Sequence, residues 1–317
     1  VDLNRVFITG ASGFVGSHLI DRLLSSGWEV AGYDQRTPPR NGISFYSGDI
    51  YRAQELTRAL LDFQPEVIFH LAGILKSQEP ETLYNVHVLG TMALFESIVD
   101  TGLSPRVVVA SSSAVYGAGF GKRPITESFR PRPATHYAVS KLAQEMVAMR
   151  YFTSIGFPVM CVRTFNLLGP GLSPDMAPAA FARQIAQAEL DGRPAKILTG
   201  DLSARRDYVD VRDAVRAYSL IAEHGKAGQT YNVCSGRAVS IRECLQILLD
   251  QARVPIEAVL DPARVQKNDI PIQIGSAKKL RESTGWKAEI SVRQSLIDLL
   301  NDWREKVKSE KHDELEG

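Results

Sequence analysis

Two rhythms of apolar residues run along the chain. Short runs, many of them rich in β-branched residues, have the length of strands: Val6-Phe7-Ile8-Thr9, Glu29 to Tyr33, Ser44 to Tyr46, Val67-Ile68-Phe69-His70-Leu71, Arg106 to Ala110 and Val159 to Val162. Between them, Phe14 to Ser26, Tyr51 to Phe63, Glu81 to Asp100 and Thr135 to Ser154 read as helices. Strands that are apolar nearly throughout need cover on both faces. The alternation therefore predicts an α/β fold with a Rossmann-type, doubly wound parallel sheet. After Phe165 the pattern loosens, with loops at Gly169-Pro170-Gly171 and Ser173-Pro174. A smaller α/β substrate-binding domain is expected there. The division is 1–165 for a dinucleotide-binding domain, which Tyr231-Asn232-Val233 rejoins in a return near 202–235, and 166–201 with 236–308 for the substrate domain. Residues 309–317 are charged and apolar-poor and read as a flexible tail.

Composition narrows the class. Of 317 residues, 37 are Lys or Arg and 36 Asp or Glu, a formal net charge of +1, and 44% are hydrophobic. That balance argues against disorder and against general nucleic-acid binding. Cys161, Cys234 and Cys244 form no C-x-x-C pair, so a reducing, cytoplasmic compartment is expected. The first residues lack the organisation of a signal peptide, and no run approaches the roughly 18 apolar residues of a membrane span. No membrane partner is expected. His312-Asp313-Glu314-Leu315 resembles a retention signal, but Glu316 and Gly317 follow it.

Gly10-Ala11-Ser12-Gly13-Phe14-Val15-Gly16 joins the first strand to the first helix. In this context Gly10 permits a tight turn, Gly13 a close approach of backbone to a pyrophosphate, and Gly16 close packing of helix on sheet. The helix N-terminus, from Phe14 and Val15 onward, offers free N–H groups to phosphate. Asp34 closes the second strand, 18 residues after Gly16. A carboxylate there accepts from both ribose hydroxyls and repels a 2′-phosphate, which favours NAD(H). Arg36 leaves NADP(H) open. Asp49-Ile50 follows the third strand, where an Asp is placed for the adenine amino group.

Tyr137 and Lys141 are spaced i, i+4 and share a helix face. A neighbouring ammonium is expected to lower the phenol pKa from about 10, and Lys141 can also bond a nicotinamide ribose. Tyr137 can then donate a proton to a carbonyl oxygen as hydride reaches the carbon. Ser111, Ser112 and Ser113 follow the strand Arg106 to Ala110, at the carboxyl end where α/β sheets bind ligands. Spacing alone does not select among them. His70, His87 and His136 lack the spacing of metal ligands, and no metal is expected.

These segments, with His70 to Gly73, Ser111 to Gly117 and Arg206 to Asp213, resemble the extended short-chain dehydrogenase/reductase superfamily over nearly the whole chain. The resemblance implies a Ser112–Tyr137–Lys141 triad and a cofactor site that includes Leu71, Ala72 and Gly73. The related dehydratases carry an acidic residue just after the Ser/Thr. Ser113 and Ala114 stand there and exchange no proton at neutral pH, which leaves keto reduction or 4-epimerisation. A non-catalytic dinucleotide sensor would make Tyr137 and Lys141 dispensable.

Thr164-Phe165-Asn166-Leu167-Leu168-Gly169-Pro170-Gly171, Gly200-Asp201-Leu202, Tyr231 to Gly236 and Ser283 to Lys287 are similar to the GDP-6-deoxy-4-keto-D-mannose reductases. That similarity implies a GDP-linked 4-keto-6-deoxy hexose, reduced to GDP-D-rhamnose or an epimer. It implies Ser112, Ser113 and Asn166 near the sugar, and Arg183 and Arg206 on the diphosphate. A solvated helix face accounts equally well for Arg183. Leu167 departs from the usual His, and Gln266 from an Arg, where Lys267 can substitute as a point charge. His87 stands where Asn is frequent. Core packing accounts for the apolar faces of the helices Glu81–Asp100 and Thr135–Ser154, while the superfamily resemblance implies a homodimer through them.

Overall fold

A computed structural model describes residues 4–38, 40–118, 121, 123–264 and 270–316. The first half runs β1 (Arg5–Thr9), α1 (Phe14–Ser25), β2 (Glu29–Asp34), β3 (Ser44–Ser47), α2 (Ala53–Phe63), β4 (Val67–His70), α3 (Pro80–Tyr84), a π-helical turn (Asn85–Leu89), α4 (Gly90–Thr101), β5 (Arg106–Ser112), α5 (His136–Ile155) and β6 (Val159–Thr164). The second half runs β7 (Asn166–Leu168), α6 (Ala177–Asp191), β8 (Ala195–Thr199), β9 (Arg205–Asp210), α7 (Val211–His224), β10 (Gln229–Val233), β11 (Ala238–Ser240), α8 (Ile241–Leu249), β12 (Ile256–Leu260), β13 (Ile272–Gln273), α9 (Lys278–Thr284) and α10 (Val292–Glu316).

Seven strands form one sheet in the order β3-β2-β1-β4-β5-β6-β10. Every pair in it is parallel. Alternation along each strand feeds two cores. Val6, Ile8, Val108, Met160 and Val162 pack with α1 and α7 on one face. Phe7, Ile68, Val107, Val109 and Cys161 pack with α2, α4 and α5 on the other. The order reverses between β1 and β4, so a crevice opens at their carboxyl ends.

The second layer is built from short strands. β9 pairs with β7 and β13 in parallel and with β11 antiparallel, while β8 pairs with β12. Helices α6, α8 and α10 close a third core around Phe181, Leu248, Leu299 and Trp303.

Three expectations change. The return to the main sheet begins with α7, because β9 stays in the second sheet. Within 236–308, Leu280 of α9 and Trp286 belong to the main-sheet core, since Trp286 donates its indole N–H to the Asp213 carbonyl at 3.0 Å. Residues 309–316 continue α10 rather than forming a flexible tail.

The expected helix Glu81–Asp100 is interrupted by the π turn. Two contacts stabilise the interruption. A Cβ on Gly90 would lie 2.8 Å from Ile50 Cγ2, so α4 starts hard against the β3–α2 connection. The Thr91 hydroxyl donates to the His87 carbonyl at 2.6 Å, giving that carbonyl a side-chain partner.

Candidate active site

A cleft of about 950 Å³ lies between the carboxyl end of the main sheet and the second layer. Its floor begins with the glycine turn. Gly10 has φ +74°, and an added Cβ would lie 2.7 Å from the Ala72 nitrogen. A Cβ on Gly16 would lie 2.4 Å from the Gly10 carbonyl oxygen, so only glycine lets α1 start this close to β1. Gly13 caps α1 without any side-chain bond, leaving the amides of the first turn open to an anion. Gly10, Gly13, Phe14, Val15 and Gly16 all line the cleft, as do Leu71 and Gly73.

The remaining cofactor candidates lie at the ends of β2 and β3. The Asp34 carboxylate accepts from the Ser12 amide at 3.0 Å and the Arg36 amide at 3.4 Å, which ties the end of β2 to the glycine turn. Asp49 accepts from Gln35 Nε2 at 2.8 Å on Oδ2, while its buried Oδ1 has no hydrogen-bond partner among the described residues. An orphan buried acceptor is costly unless a ligand donor completes it. Ile50 is buried beside Gly90, and the Ala72 amide donates to Thr9 Oγ1 at 3.3 Å. The glycine cradle, the open helix end and this orphan oxygen together fit an adenine dinucleotide.

Ser112, Tyr137 and Lys141 converge on the cleft. Thr135 caps α5 by accepting from the Ala138 amide at 3.1 Å, which puts Tyr137 in the first turn and Lys141 one turn on. Ser112 ends β5, and its Oγ accepts from the Ala114 amide at 3.1 Å, leaving its own hydrogen to donate. Tyr137 and Ser112 both face the cleft, and the serine hydroxyl eases ionisation of the phenol. The Lys141 ammonium donates to the Ala110 carbonyl at 2.7 Å and to Gln144 Oε1 at 2.8 Å. Burial lowers its pKa to about 8, with Glu145 and Cys161 opposing.

One expectation is reversed here. The Tyr137 phenol is pushed up, not down. Burial dominates, and the Ser112 hydroxyl opposes it only in part. The ammonium expected to lower it is already engaged by Ala110 and Gln144.

His87, projecting from the π turn, bridges two walls of this site. The Ile74 amide donates to its Nε2 at 3.2 Å, so Nδ1 carries the hydrogen shared with Ser140 Oγ at 2.8 Å. Its ring meets Tyr137 edge-on at 5.8 Å between centroids. Burial, then Lys141, then His70 lower its pKa to about 2, so the ring is neutral.

The opposite wall comes from the second layer. Asn166 and Arg206 line the cleft. Asn166 Nδ2 lies 3.5 Å from the Asp207 carbonyl, and Arg206 donates to the Arg205 and Ile270 carbonyls at 3.0 and 2.5 Å. Ser113 is tied across the cleft: its hydroxyl donates to Gln273 Oε1 and Gln273 Nε2 returns to its carbonyl, both at 3.1 Å. Arg183 does not line the cleft. Its guanidinium lies over Trp303 at 5.6 Å and 3.8 Å from Glu310, because the α6 face that carries it packs on α10. Lys267, with Gln266, lies outside the described residues.

Sequence reasoning missed Gln144, Gln273 and the buried Glu145–Arg163 pair. Arg163 grips both oxygens of Glu145 at 2.9 and 2.6 Å, and Ser111 donates to the same carboxylate. The available signal is on α5, where Ser140, Lys141, Gln144 and Glu145 are all buried. That helix face carries polar groups where an apolar stripe is usual. Among the described residues, no group of three or more His, Cys, Asp or Glu is placed to hold a metal.

A glycine-turn dinucleotide cradle opposite a Ser, Tyr and Lys at strand and helix ends defines the class. The chain belongs to the NAD dependent epimerase/dehydratase family, whose profile matches residues 6–234. It is similar to the GDP-6-deoxy-D-mannose reductase of Pseudomonas aeruginosa, with 36% identity over 313 residues that span 96% of this chain and 99% of that enzyme. A UDP-glucose 4-epimerase of Mycolicibacterium smegmatis is 31% identical over 316 residues, 95% of this chain and 99% of that one. The solved structure of RMD from Pseudomonas aeruginosa complexed with NADPH superposes with a TM-score of 0.85 at 34% identity, covering 96% of this chain and 99% of that one.

Proposed function

We propose that this protein is a nicotinamide-dependent reductase acting on the C4 ketone of a GDP-linked 4-keto-6-deoxy hexose, giving GDP-D-rhamnose or an epimer. The observation that carries the reading is the convergence of Ser112, Tyr137 and, one helical turn on, Lys141 on a single cleft. Ser113 and Ala114 supply no acid–base group beside them. The similarity to GDP-6-deoxy-D-mannose reductase supports the substrate class.

The Gly10–Gly16 turn and the start of α1 would hold the pyrophosphate, Asp34 the adenine ribose and Asp49 the adenine amino group. Lys141 would hold the nicotinamide ribose. A bound reduced nicotinamide supplies two electrons, as hydride, to a carbonyl carbon. Ser112 donates a hydrogen bond to the carbonyl oxygen and fixes it beside Tyr137. The Tyr137 O–H bond breaks as its proton joins that oxygen. Lys141 stabilises the resulting phenolate until solvent returns the proton. Asn166 and Arg206 face the nucleotide sugar from the second layer, with Arg206 suited to phosphate oxygens. Residues 1–165, rejoined by α7, β10 and α9, form the dinucleotide part in this reading.

Asp34 favours NADH, while the NADPH in the related RMD structure keeps NADPH in play. Incubating the protein with the GDP-4-keto-6-deoxy sugar and each reduced cofactor tests the assignment. Net loss of reduced-nicotinamide absorbance with formation of the 6-deoxy sugar is expected. A 4-epimerase with tightly held NAD is the second reading, favoured by the similar UDP-glucose 4-epimerases. It predicts co-purifying NAD and no net consumption of added cofactor.

Leu89, Met92 and Val99 beside exposed Val139 and Met146 of α5 leave an apolar surface that supports a homodimer. Met146→Glu is expected to shift a sedimenting dimer to monomer. The three cysteines are buried and free, which supports a reducing, cytoplasmic setting.

A further inference from the structure

A file of buried polar side chains runs beneath the cleft from β1 to α5. Thr9, His70, Thr91 and Gln144 are fully buried and Lys141 nearly so. Their donors and acceptors assign themselves. The single Thr91 hydrogen goes to the His87 carbonyl at 2.6 Å, so Thr91 Oγ1 can only accept from its other neighbours. It accepts from Gln144 Nε2 at 3.1 Å and from His70 Nε2 at 2.8 Å. His70 is therefore protonated on Nε2, and its Nδ1 accepts from the Thr9 hydroxyl at 2.8 Å. Thr9 Oγ1 in turn accepts from the Ala72 amide at 3.3 Å. At the far end the Gln144 amide is oriented with its oxygen on Lys141 Nζ at 2.8 Å.

We propose that Gln144 is a positioning residue, whose amide is locked by Thr91 and through it by neutral His70, and which aims the Lys141 ammonium into the cleft. The inference rests on the proposed use of Lys141 against a dinucleotide ribose and the Tyr137 phenolate. Two of the three ammonium hydrogens are spent on Ala110 and Gln144, and these two acceptors fix the direction of the third. An isoleucine- or leucine-like side chain at 144 would fill the space but leave the ammonium with one acceptor and Thr91 with His70 as its one remaining side-chain donor. The chain also ties Lys141 to the residue before the glycine turn, because Thr9 immediately precedes Gly10. The nicotinamide ribose and the pyrophosphate of a bound dinucleotide would thus be gripped from one hydrogen-bonded unit.

The charge on Lys141 depends on few neighbours. Glu145 and Tyr137 share its helix, Cys161 faces it from β6, His70 from β4 and His87 from the π turn. Both histidines are held neutral by burial. Removing the Gln144 acceptor favours the uncharged amine, and placing a carboxylate there favours the ammonium.

The test compares unaltered protein with Gln144→Leu and Gln144→Glu. Reduced-dinucleotide binding is followed by fluorescence from pH 6 to 10, alongside turnover and thermal unfolding. Unaltered protein is expected to lose binding along an alkaline limb near the Lys141 pKa of about 8. Gln144→Leu is expected to move that limb down by about one pH unit and Gln144→Glu to move it up by about one. A role confined to packing would lower the melting temperature and leave both limbs in place, and that result overturns the inference. If the Leu variant does not fold, the direction of the Glu shift decides alone. If the unaltered protein binds no reduced dinucleotide, the functional reading falls and this inference with it.

Discussion

Ser112 faces Tyr137 in the cleft and eases its ionisation, yet the phenol stays harder to ionise than a free tyrosine. Desolvation outweighs the serine hydroxyl because the phenolate would sit in a pocket walled by β5, α5 and the π turn. Lys141, the obvious counter-charge, spends two of its hydrogens on Ala110 and Gln144. The arrangement suits a proton donor. Reduction of a ketone starts with the acid form, and a protonated phenol at neutral pH is that form. The ammonium matters after transfer, when negative charge appears on the tyrosine oxygen.

Tyr137→Phe therefore removes the transferred proton and little else. Turnover is expected to fall by about 10²–10⁴-fold, the usual worth of a general acid. Affinity for reduced dinucleotide, read by fluorescence titration, is expected to change by at most about tenfold, because a single neutral hydrogen bond contributes only about 0.5–1.5 kcal/mol. Equal losses of binding and turnover would mean that Tyr137 holds the cofactor rather than supplying the proton.

Arg206 and Arg183 separate what a motif implies from where a side chain goes. Arg206 lines the cleft, whereas Arg183 lies over Trp303 beside Glu310. Arg206→Ala is expected to raise KM for the nucleotide sugar by about ten- to a hundredfold, the worth of a charge-assisted bond to phosphate. Arg183→Ala is expected to leave KM unchanged and cost at most about 1 kcal/mol of stability, since Arg183 and Glu310 are both half exposed. Steady-state kinetics of the two variants side by side decide it. A raised KM for Arg183→Ala would mean that α6 moves on substrate binding.

The main sheet was legible because its central strands are buried apolar runs, and the glycine turn because it sits between strand and helix. Tyr137 and Lys141 were legible from helical spacing taken together with the glycine turn, and Ser112 only by resemblance. The second layer was not. Strands such as β11 and β13 have three and two residues, too few to show a period. The π turn leaves no trace in periodicity, since it depends on where Gly90 meets Ile50 in space. Gln144 and Glu145 were hidden for the opposite reason. Polar residues on a helix suggest a solvent face, and only tertiary contacts reveal that this face is inside.

Glu145 and Arg163 are a buried, bidentate pair directly behind the serine run. Removing one charge leaves the other desolvated without compensation. Glu145→Gln is expected to cost about 3–5 kcal/mol in urea unfolding, while Glu145→Leu combined with Arg163→Met recovers much of that. A double variant no more stable than the single would mean that Ser111 and the Tyr116 ring under Arg163 carry the energy instead.

His70 and His87 make the fold sensitive to acid. Burial first, then the Lys141 charge, holds His70 down to about 3 and His87 to about 2, against an ordinary value of 6.5. Below pH 6.5 the unfolded chain binds protons on both rings while the folded chain does not. The unfolded state then carries more bound protons, so stability is full above about pH 6.5 and falls with acidification until the folded rings titrate. Each histidine contributes a slope of about 1.4 kcal/mol per pH unit across that window. Protonation also disrupts the sites themselves. His87 Nε2 accepts from the Ile74 amide, and His70 Nδ1 accepts from the Thr9 hydroxyl, so a second ring hydrogen meets a donor in each case. His87→Asn is expected to lose baseline stability but to flatten the fall in unfolding free energy between pH 6 and pH 4 by roughly one proton equivalent. Urea titrations at half-unit pH steps read this directly. An unchanged slope in the variant would mean that His87 is protonated in the folded protein, and that the π turn is held by its backbone rather than by the neutral ring.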